Sequence, residues 1–345
     1  MTAVQTHPEA ETRARALPSR RGVWLGLGLL ALAAACVASV AFGTRVVGWS
    51  DIASAFAGGD GIAQEAVRQR LPRTFLAVII GAVLALSGTV LQAVTRNPLA
   101  DPAILGISAG ASLWVVCGIT FFGLVTPISY VWVAIAGSAT TAVLVYAIGS
   151  LGRGGATPLK LALAGAATTA AFGSLTSAVL LPRLDVMDQF RFWQIGGVGG
   201  ADIPRTLSVL PFYILATVVI LGVARSLNAL ALGDDVAAGL GVRVGATRLV
   251  AGAAAVVLCG AATALVGPIG FVGLVVPHAC RALVGVDHRW LLPTAALAGA
   301  TLLTAADVVG RVVVRPAELD VGIITALIGA PVFIWIVRRQ KVRAL

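Results

Sequence analysis

The sequence predicts an all-α polytopic membrane protein, with about ten transmembrane helices in one bundle and both termini cytoplasmic. Three observations carry this expectation. The 345 residues are 58% apolar and only 12% charged, where a soluble domain is roughly 45–50% apolar and about 25% charged. The apolar residues fall in long runs separated by proline, glycine and charge. Basic residues gather in both tails and in the breaks between runs. A soluble globule has too few polar side chains here to cover its surface, whereas a bilayer accepts the apolar face as solvent.

Taken in order, the runs place spans at 23–43, 73–95, 103–123, 128–150, 161–181, 206–226, 246–267, 269–284, 292–312 and 321–338, within one transmembrane unit over 23–338. The first run is about 20 residues, long enough to span and longer than a usual signal-peptide core. It reads as an uncleaved span behind a polar tail, residues 1–22. The eighth run is short and holds Pro277, His278 and Arg281, so composition alone supports eight to ten spans. A second basic tail, 339–345, closes the chain.

Charge sets the orientation. The tails, with Arg96, Arg153, Lys160, Arg225, Arg243, Arg248, Arg281 and Arg289, lie on one side of a ten-span topology. The excess of Lys and Arg there marks that side as cytoplasmic. The outer side still carries Arg45, Arg68, Arg70, Arg73, Arg183, Arg191, Arg205, Arg311 and Arg315, more than the rule expects. The net charge of +10 has no stripe of arginines interleaved with aromatics, which excludes a nucleic-acid groove. Cys36, Cys117, Cys259 and Cys280 lie far apart in apolar stretches and read as small buried hydrophobes, with no metal spacing. Gly81, Ala85 and Gly88, and likewise Gly252, Ala255 and Gly260, predict close helix packing by small residues.

Two breaks are too polar for lipid-facing helix. Asn97-Pro98-Leu99-Ala100-Asp101-Pro102 reads as a tight helix–helix turn in which Asn and Asp cap the next helix. Residues 227–245 hold the longest internal polar stretch, Leu232 to Arg243. There Asp234 can cap a short helix with Val236, Ala237 and Leu240 on one face, and a second short helix can follow Gly241. Such a helix either rests on the bilayer or docks on a partner.

Catalytic patterns are weak. Gly106-Ile107-Ser108-Ala109-Gly110 fits G-x-S-x-G but opens a membrane helix rather than a strand-to-helix elbow. His278 has no second ligand at metal spacing and reads as structural. Asp307, inside a span, is a proton-relay candidate by default, but Arg311 four residues on makes an i, i+4 pair the plainer reading. No GxxxxGK[ST] loop occurs, and the only lysines are Lys160 and Lys341. Catalytic residues, metal sites and cofactors are therefore expected to be absent.

Several blocks come in an order that resembles the iron–siderophore and vitamin B12 permease family of ABC importers. They are Arg70-Leu71-Pro72-Arg73, Gln92 with Asn97 to Pro102, and Leu105 to Ala111, then Leu232-Gly233 with Ala237 and Leu240-Gly241. Gly270 to His278 with Arg281, Asp287-His288-Arg289, Ala306-Asp307 with Arg311, Glu318-Leu319 with Val321-Gly322, and Gly329 to Ile334 complete the series. The resemblance implies a permease dimer, of identical or paralogous protomers, around a central path. It implies that an ATP-hydrolysing subunit docks on two short helices matching Leu232–Arg243, with Leu232, Gly233, Asp234, Ala237, Leu240 and Gly241 as coupling residues. It also implies that Arg70 and Arg311, on the outer face, pair with glutamates of an extracytoplasmic substrate-binding protein. Exposed guanidiniums offer carboxylates forked, charge-assisted contacts. Arg73, Arg191 and Arg315 read more plainly as snorkelling side chains. The chain departs from the family at Asp320, where Pro is usual, and is glycine-rich after Trp193. The rival reading is an ion- or proton-coupled secondary transporter needing no ATPase, with Asp307 at its centre.

Overall fold

The computed structural model of the protein describes residues 18–151, 157–183 and 194–339. Residues 1–17 of the N-terminal tail, Arg153, Arg191, Trp193 and the tail beyond Arg339 lie outside the described residues. Among the described residues the regular structure is entirely helical. In chain order the helices are α1 (Pro18–Ala41), α2 (Trp49–Phe56), α3 (Ile62–Thr95), α4 (Ile107–Phe122), α5 (Pro127–Ser150) and α6 (Pro158–Leu180). There follow α7 (Ile203–Gly222), α8 (Ala224–Leu230), α9 (Asp234–Gly239), α10 (Val244–Val266), α11 (Val272–Val284), α12 (His288–Val313) and α13 (Val321–Arg339).

Seven helices (α1, α3, α5, α6, α7, α10 and α12) are long and apolar enough to cross a bilayer, and α4, α11 and α13 are shorter apolar helices. Together these occupy the ten runs. Two boundaries that bear on the candidate site differ from expectation. α3 begins at Ile62, so Arg70 to Arg73 lie inside a helix of 34 residues that is about 51 Å long at 1.5 Å per residue. Pro72 does not start this helix but sits within it. α4 begins at Ile107 rather than 103, because the stretch from Asn97 to Gly106 is a buried set of turns. There Asn97 Oδ1 accepts from Leu99 N–H at 2.9 Å and Asp101 Oδ1 from Ala103 N–H at 2.8 Å. These two residues cap turns within the loop, and Gly106, left-handed at φ 73°, precedes the helix itself. The short helix α2 is an element the run pattern did not mark.

Burial ranks the helices. In their apolar windows 78% of α3 and 72% of α10 are buried inside the chain, against 6% of α1. The bundle is therefore built around α3 and α10. Leucines such as Leu30, Leu163 and Leu215 on peripheral helices are more than half exposed, as a lipid-facing surface requires. Where the inner helices meet, small residues let main chains touch. A Cβ on Gly81 of α3 would lie 2.2 Å from Gly299 O of α12, and one on Gly88 2.1 Å from Gly273 O of α11. Ser87 Oγ donates to Ala255 O of α10 at 2.7 Å. Without a hydrophobic drive between helices in lipid, such contacts and hydrogen bonds hold the bundle. Gly252 is the exception among the glycines singled out from sequence, with open space around it.

The glycine-rich stretch after Trp193 has a packing role. Gly197 N–H donates to Val266 O at 2.9 Å, Gly322 N–H donates to Gly196 O at 3.0 Å, and a Cβ on Gly322 would meet Ile195 O at 2.2 Å. The start of α13 is thus stitched to the end of α10 through bare backbone.

Gly299→Val is expected to abolish a monodisperse peak in detergent size-exclusion chromatography, since its side chain would enter the α3 main chain. Gly252→Val should elute like the wild type. Equal behaviour of the two would show that the α3–α12 contact is not tight.

Candidate functional site

Polar chemistry collects at the two ends of the bundle. One end holds the C-terminus of α1, the first third of α3, the C-terminus of α12 and the start of α13. In the orientation expected from loop charge it faces outward, and we call it the outer end. Asp307 of α12 is fully buried there. Arg73 of α3 places Nη2 at 2.8 Å and Nε at 2.9 Å from Asp307 Oδ1, and Arg311 Nη2 lies 2.9 Å from Oδ2. Arg73 Nη1 also reaches Glu318 Oε2 at 2.9 Å. The i, i+4 pair of Asp307 and Arg311 forms as expected. Arg73, expected to snorkel, instead joins it as a buried second partner, because α3 extends far enough outward to bring Arg73 beside α12. Arg315 is exposed.

Arg70 and Arg311 depart from the exposed guanidiniums expected of them. Their residues are only 6% and 3% exposed, and their donors are engaged within the chain. Arg70 Nη1 donates to Val40 O at 2.8 Å and Ala41 O at 3.0 Å, and Nη2 to Arg45 O at 2.7 Å. Arg311 Nη1 donates to Ser39 O and Phe42 O, each at 3.1 Å. The last carbonyls of a helix lack intrahelical partners and carry negative partial charge. Two guanidiniums satisfy those of α1. The same arginines, with Arg45, Arg73 and Glu318, line an outward polar pocket of about 390 Å³. Arg70 and Arg311 therefore act from its floor, while exposed Arg45 stands at its rim.

Asp320 precedes α13 with its carboxylate against Gly197. Burial, with Glu318 and Asp307 nearby, pushes its carboxyl above the usual aspartate range, and Arg73 offsets only part of this.

At the inner end α8 packs against α3, α10 and α12, and α9 follows it. Gly233, at φ 114°, is the N-cap of α9. Asp234 does not cap the helix; its carboxylate binds Arg96, which ends α3, and a fork from Arg248 of α10 at 2.9 and 3.0 Å. Arg96 Nε also donates to Leu230 O at 2.9 Å. Val236, Ala237 and Leu240 do not share a face. Ala237 is fully buried, while Leu232, Val236 and Leu240 are 63%, 50% and 63% exposed. Gly241, at φ 80°, turns the chain straight into α10. The expected second helix after Gly241 is absent, and the companion of α9 is α8, which precedes it. The outcome is an apolar edge at positions 232, 236 and 240, held at a fixed angle by one carboxylate and two guanidiniums.

The remaining candidates resolve into packing. Ser108 lies inside α4, 4% exposed, with Oγ 3.5 Å from Cys259 Sγ, and no strand-to-helix elbow presents it. His278 packs edge-on to Trp335 at 6.3 Å between ring centroids. Among the described residues no three His, Cys, Asp or Glu side chains converge as metal ligands.

A model of the FecCD transport family matches residues 30–339, which contain both polar ends. The chain belongs to the FecCD transport family. Over 333 residues it is 43% identical to the ferric enterobactin transport system permease protein of Escherichia coli strain K12, covering 96% of this chain and 97% of that one. The hemin transport system permease protein of Yersinia pestis is 44% identical over 279 residues, 79% of this chain and 82% of its own. A solved metal-chelate type ABC transporter in an inward-facing conformation superposes with a TM-score of 0.77 at 30% identity. That match covers 93% of this chain and all of the other. FecCD membership agrees with a multi-pass membrane protein.

Sequence reasoning missed Glu318, Arg73, Arg96 and Arg248 as members of these clusters. A signal existed for Arg73, which stands three residues after Arg70 and so on one helix face. Ion pairs between α3, α9 and α10 had none, because they cross long sequence separations.

Asp307→Ala should destabilise the protein by about 3–5 kcal/mol, the usual penalty for leaving buried charge unpaired, read as a large fall in Tm in detergent. Asp320→Asn should raise Tm. The ionised form of a carboxyl whose folded pKa is raised costs nothing below the unfolded pKa and its full amount above the folded one. The gain should therefore be present at neutral pH and fade as pH falls into the ordinary aspartate range. A gain that persisted in acid would mean that charge is not its origin.

Proposed function

We propose that this chain is the membrane-spanning permease subunit of an ATP-driven importer for ferric siderophores or similar metal chelates, such as haem or cobalamin, in the cytoplasmic membrane. Its partners on this reading are a separate ATP-hydrolysing subunit, an extracytoplasmic substrate-binding protein and a second permease protomer. The observation that carries the proposal is the inner edge of Leu232, Val236 and Leu240, exposed on and beside α9 while Asp234 ties that helix to α3 and α10. An apolar edge facing water favours a partner, and a rigidly mounted one can pass force as well as bind. Family membership directs the choice of partner to an ATPase.

At the outer end the binding protein docks over the pocket. Arg45 at the rim meets its carboxylates first, and Arg70 and Arg311 supply positive potential from the floor. Both oxygens of Asp307 accept from guanidiniums, so a structural role suits this acid better than proton relay. ATP binding between two ATPase subunits shifts α9, and rigid helices carry the shift to the gates, which open on alternate sides.

Leu240→Arg should retain normal size-exclusion behaviour yet fail to co-purify the ATPase subunit that the wild type recovers from native membranes. Full recovery with the variant would remove α9 as the docking element. Transport by vesicles holding wild-type chain but no ATPase would sink the importer reading altogether.

A further inference from the structure

The inner segment is held at a second point, to which no role has been assigned. Asn228 of α8 wedges its carboxamide into the N-terminus of α12. Its Nδ2 donates to Asp287 Oδ1 at 2.7 Å, and its Oδ1 accepts from His288 N–H at 2.8 Å and faces His288 Nδ1 at 2.8 Å. Asp287 is itself the N-cap of α12, accepting from Arg289 N–H at 3.0 Å, and lies 3.6 Å from Arg21 of α1. The pattern fixes every donor. A carboxylate can only accept, so the amide nitrogen must face Asp287 and the amide oxygen His288. The imidazole proton then sits on Nδ1, directed at that oxygen. His288 is 5% exposed and its Nε2 is buried with no partner among the described residues, so Asn228 holds the ring by the one side-chain hydrogen bond it makes among them.

Three helices thus meet the α8–α9 segment: α10 through Arg248 and, as a pair, α3 through Arg96 and α12 through His288 and Asp287. α3 and α12 carry Arg73, Asp307 and Arg311 at their other ends, about 28–35 Å away at 1.5 Å per residue. Between those ends their main chains touch at Gly81 and Gly299. A pair joined at both ends and in the middle moves as one body. We propose that Asn228 is a positioning residue for transport, the clamp that makes the α3–α12 pair a single lever between the α8–α9 segment and the outer charged pocket. Without Asn228, α9 keeps its exposed edge and its tie to α3 but no longer directs α12. The lever rests on the reading that an ATPase docks at α9; the clamp itself does not.

The test uses the full-length chain in nanodiscs, alone and with its co-purified ATPase subunit, as wild type, Asn228→Asp, and Asn228→Asp with Asp287→Asn. The single change sets two carboxylates face to face. The double change restores the hydrogen bond between residues 228 and 287 with donor and acceptor exchanged, and leaves residue 228 accepting from His288. It gives up the Arg289 N–H bond, whose acceptor is the same Asp287 oxygen but whose amide lies outside residues 224–231. In the chain alone, amide hydrogen exchange over 224–231 should rise about tenfold in the single variant and return to wild-type values in the double, on the usual scale of a lost charge-assisted hydrogen bond. In the complex, Thr44→Cys at the outer pocket, in a background with Cys36 and Cys117 replaced by Ala, should react with an impermeant maleimide at a rate that ATP with vanadate changes. That nucleotide effect should vanish in the single variant and reappear in the double. Unchanged exchange in the single variant would overturn the clamp, and an unchanged nucleotide effect would overturn the lever. Absence of the nucleotide effect, or of a bound ATPase, in the wild type would overturn the docking reading and the lever with it. The exchange result would still decide the clamp.

Discussion

One buried carboxylate organises the outer half of this molecule. Asp307 is fully buried between Arg73 and Arg311, in a bundle whose interior is largely apolar. Charge at that depth is tolerated only when paired and hydrogen-bonded, so the position of each partner follows from it. Arg73 must come from α3, which requires α3 to run well beyond the thickness of the hydrocarbon. Arg311 must lie one turn along α12, and its remaining donors then fall on the end of α1. Ser39 closes the arrangement, its Oγ accepting from Arg311 at 2.7 Å and pairing with Thr74 at 2.6 Å. Helices far apart in sequence are thereby fixed in register by the need to leave no guanidinium unsatisfied.

That constraint also explains what the sequence made legible and what it did not. Apolar runs and their breaks gave ten helix positions, because burial in lipid is written locally, residue by residue. The i, i+4 relation of Asp307 and Arg311 was equally local. Arg73 was misplaced because Pro72 looks like a helix start when the helix that contains it is held by contacts 234 residues away. Asp234 looked like a cap for the same reason. A short acid before an apolar stretch is a cap signal unless two arginines from other helices claim it, and Arg96 and Arg248 do. The expected common face of Val236, Ala237 and Leu240 failed on size. Ala237 fits flush against the bundle, and the larger side chains are left to turn outward.

Glycine separates these levels further. Composition predicted close packing, yet only contact reveals which glycines are needed. Gly81 and Gly299 touch main chain to main chain, whereas Gly252, of the same type and in an equally apolar helix, touches nothing. The difference decides which helices can slide. α3 and α12 cannot move past each other without losing the contact at Gly81 and Gly299, and their outer ends are locked by ion pairs. The two helices are thus locked in the middle and at their outer ends, and at the inner end the α8–α9 segment ties each of them separately.

The inner end then has an unusual economy of polar contacts. α9 and its two flanks expose three large apolar side chains while the one buried position of the helix, Ala237, anchors it only lightly. Such an edge would fold back onto the bundle if nothing opposed it, since burial of each side chain is worth about 1.5–3 kcal/mol. The forked contact of Arg248 with Asp234, the bond from Arg96 to Leu230 O and the wedge of Asn228 in α12 oppose it from three directions. Charge and hydrogen bonds here keep an apolar surface open instead of closing it. A surface kept open in this way gains stability when a partner covers it, which is the role the proposed ATPase would fill.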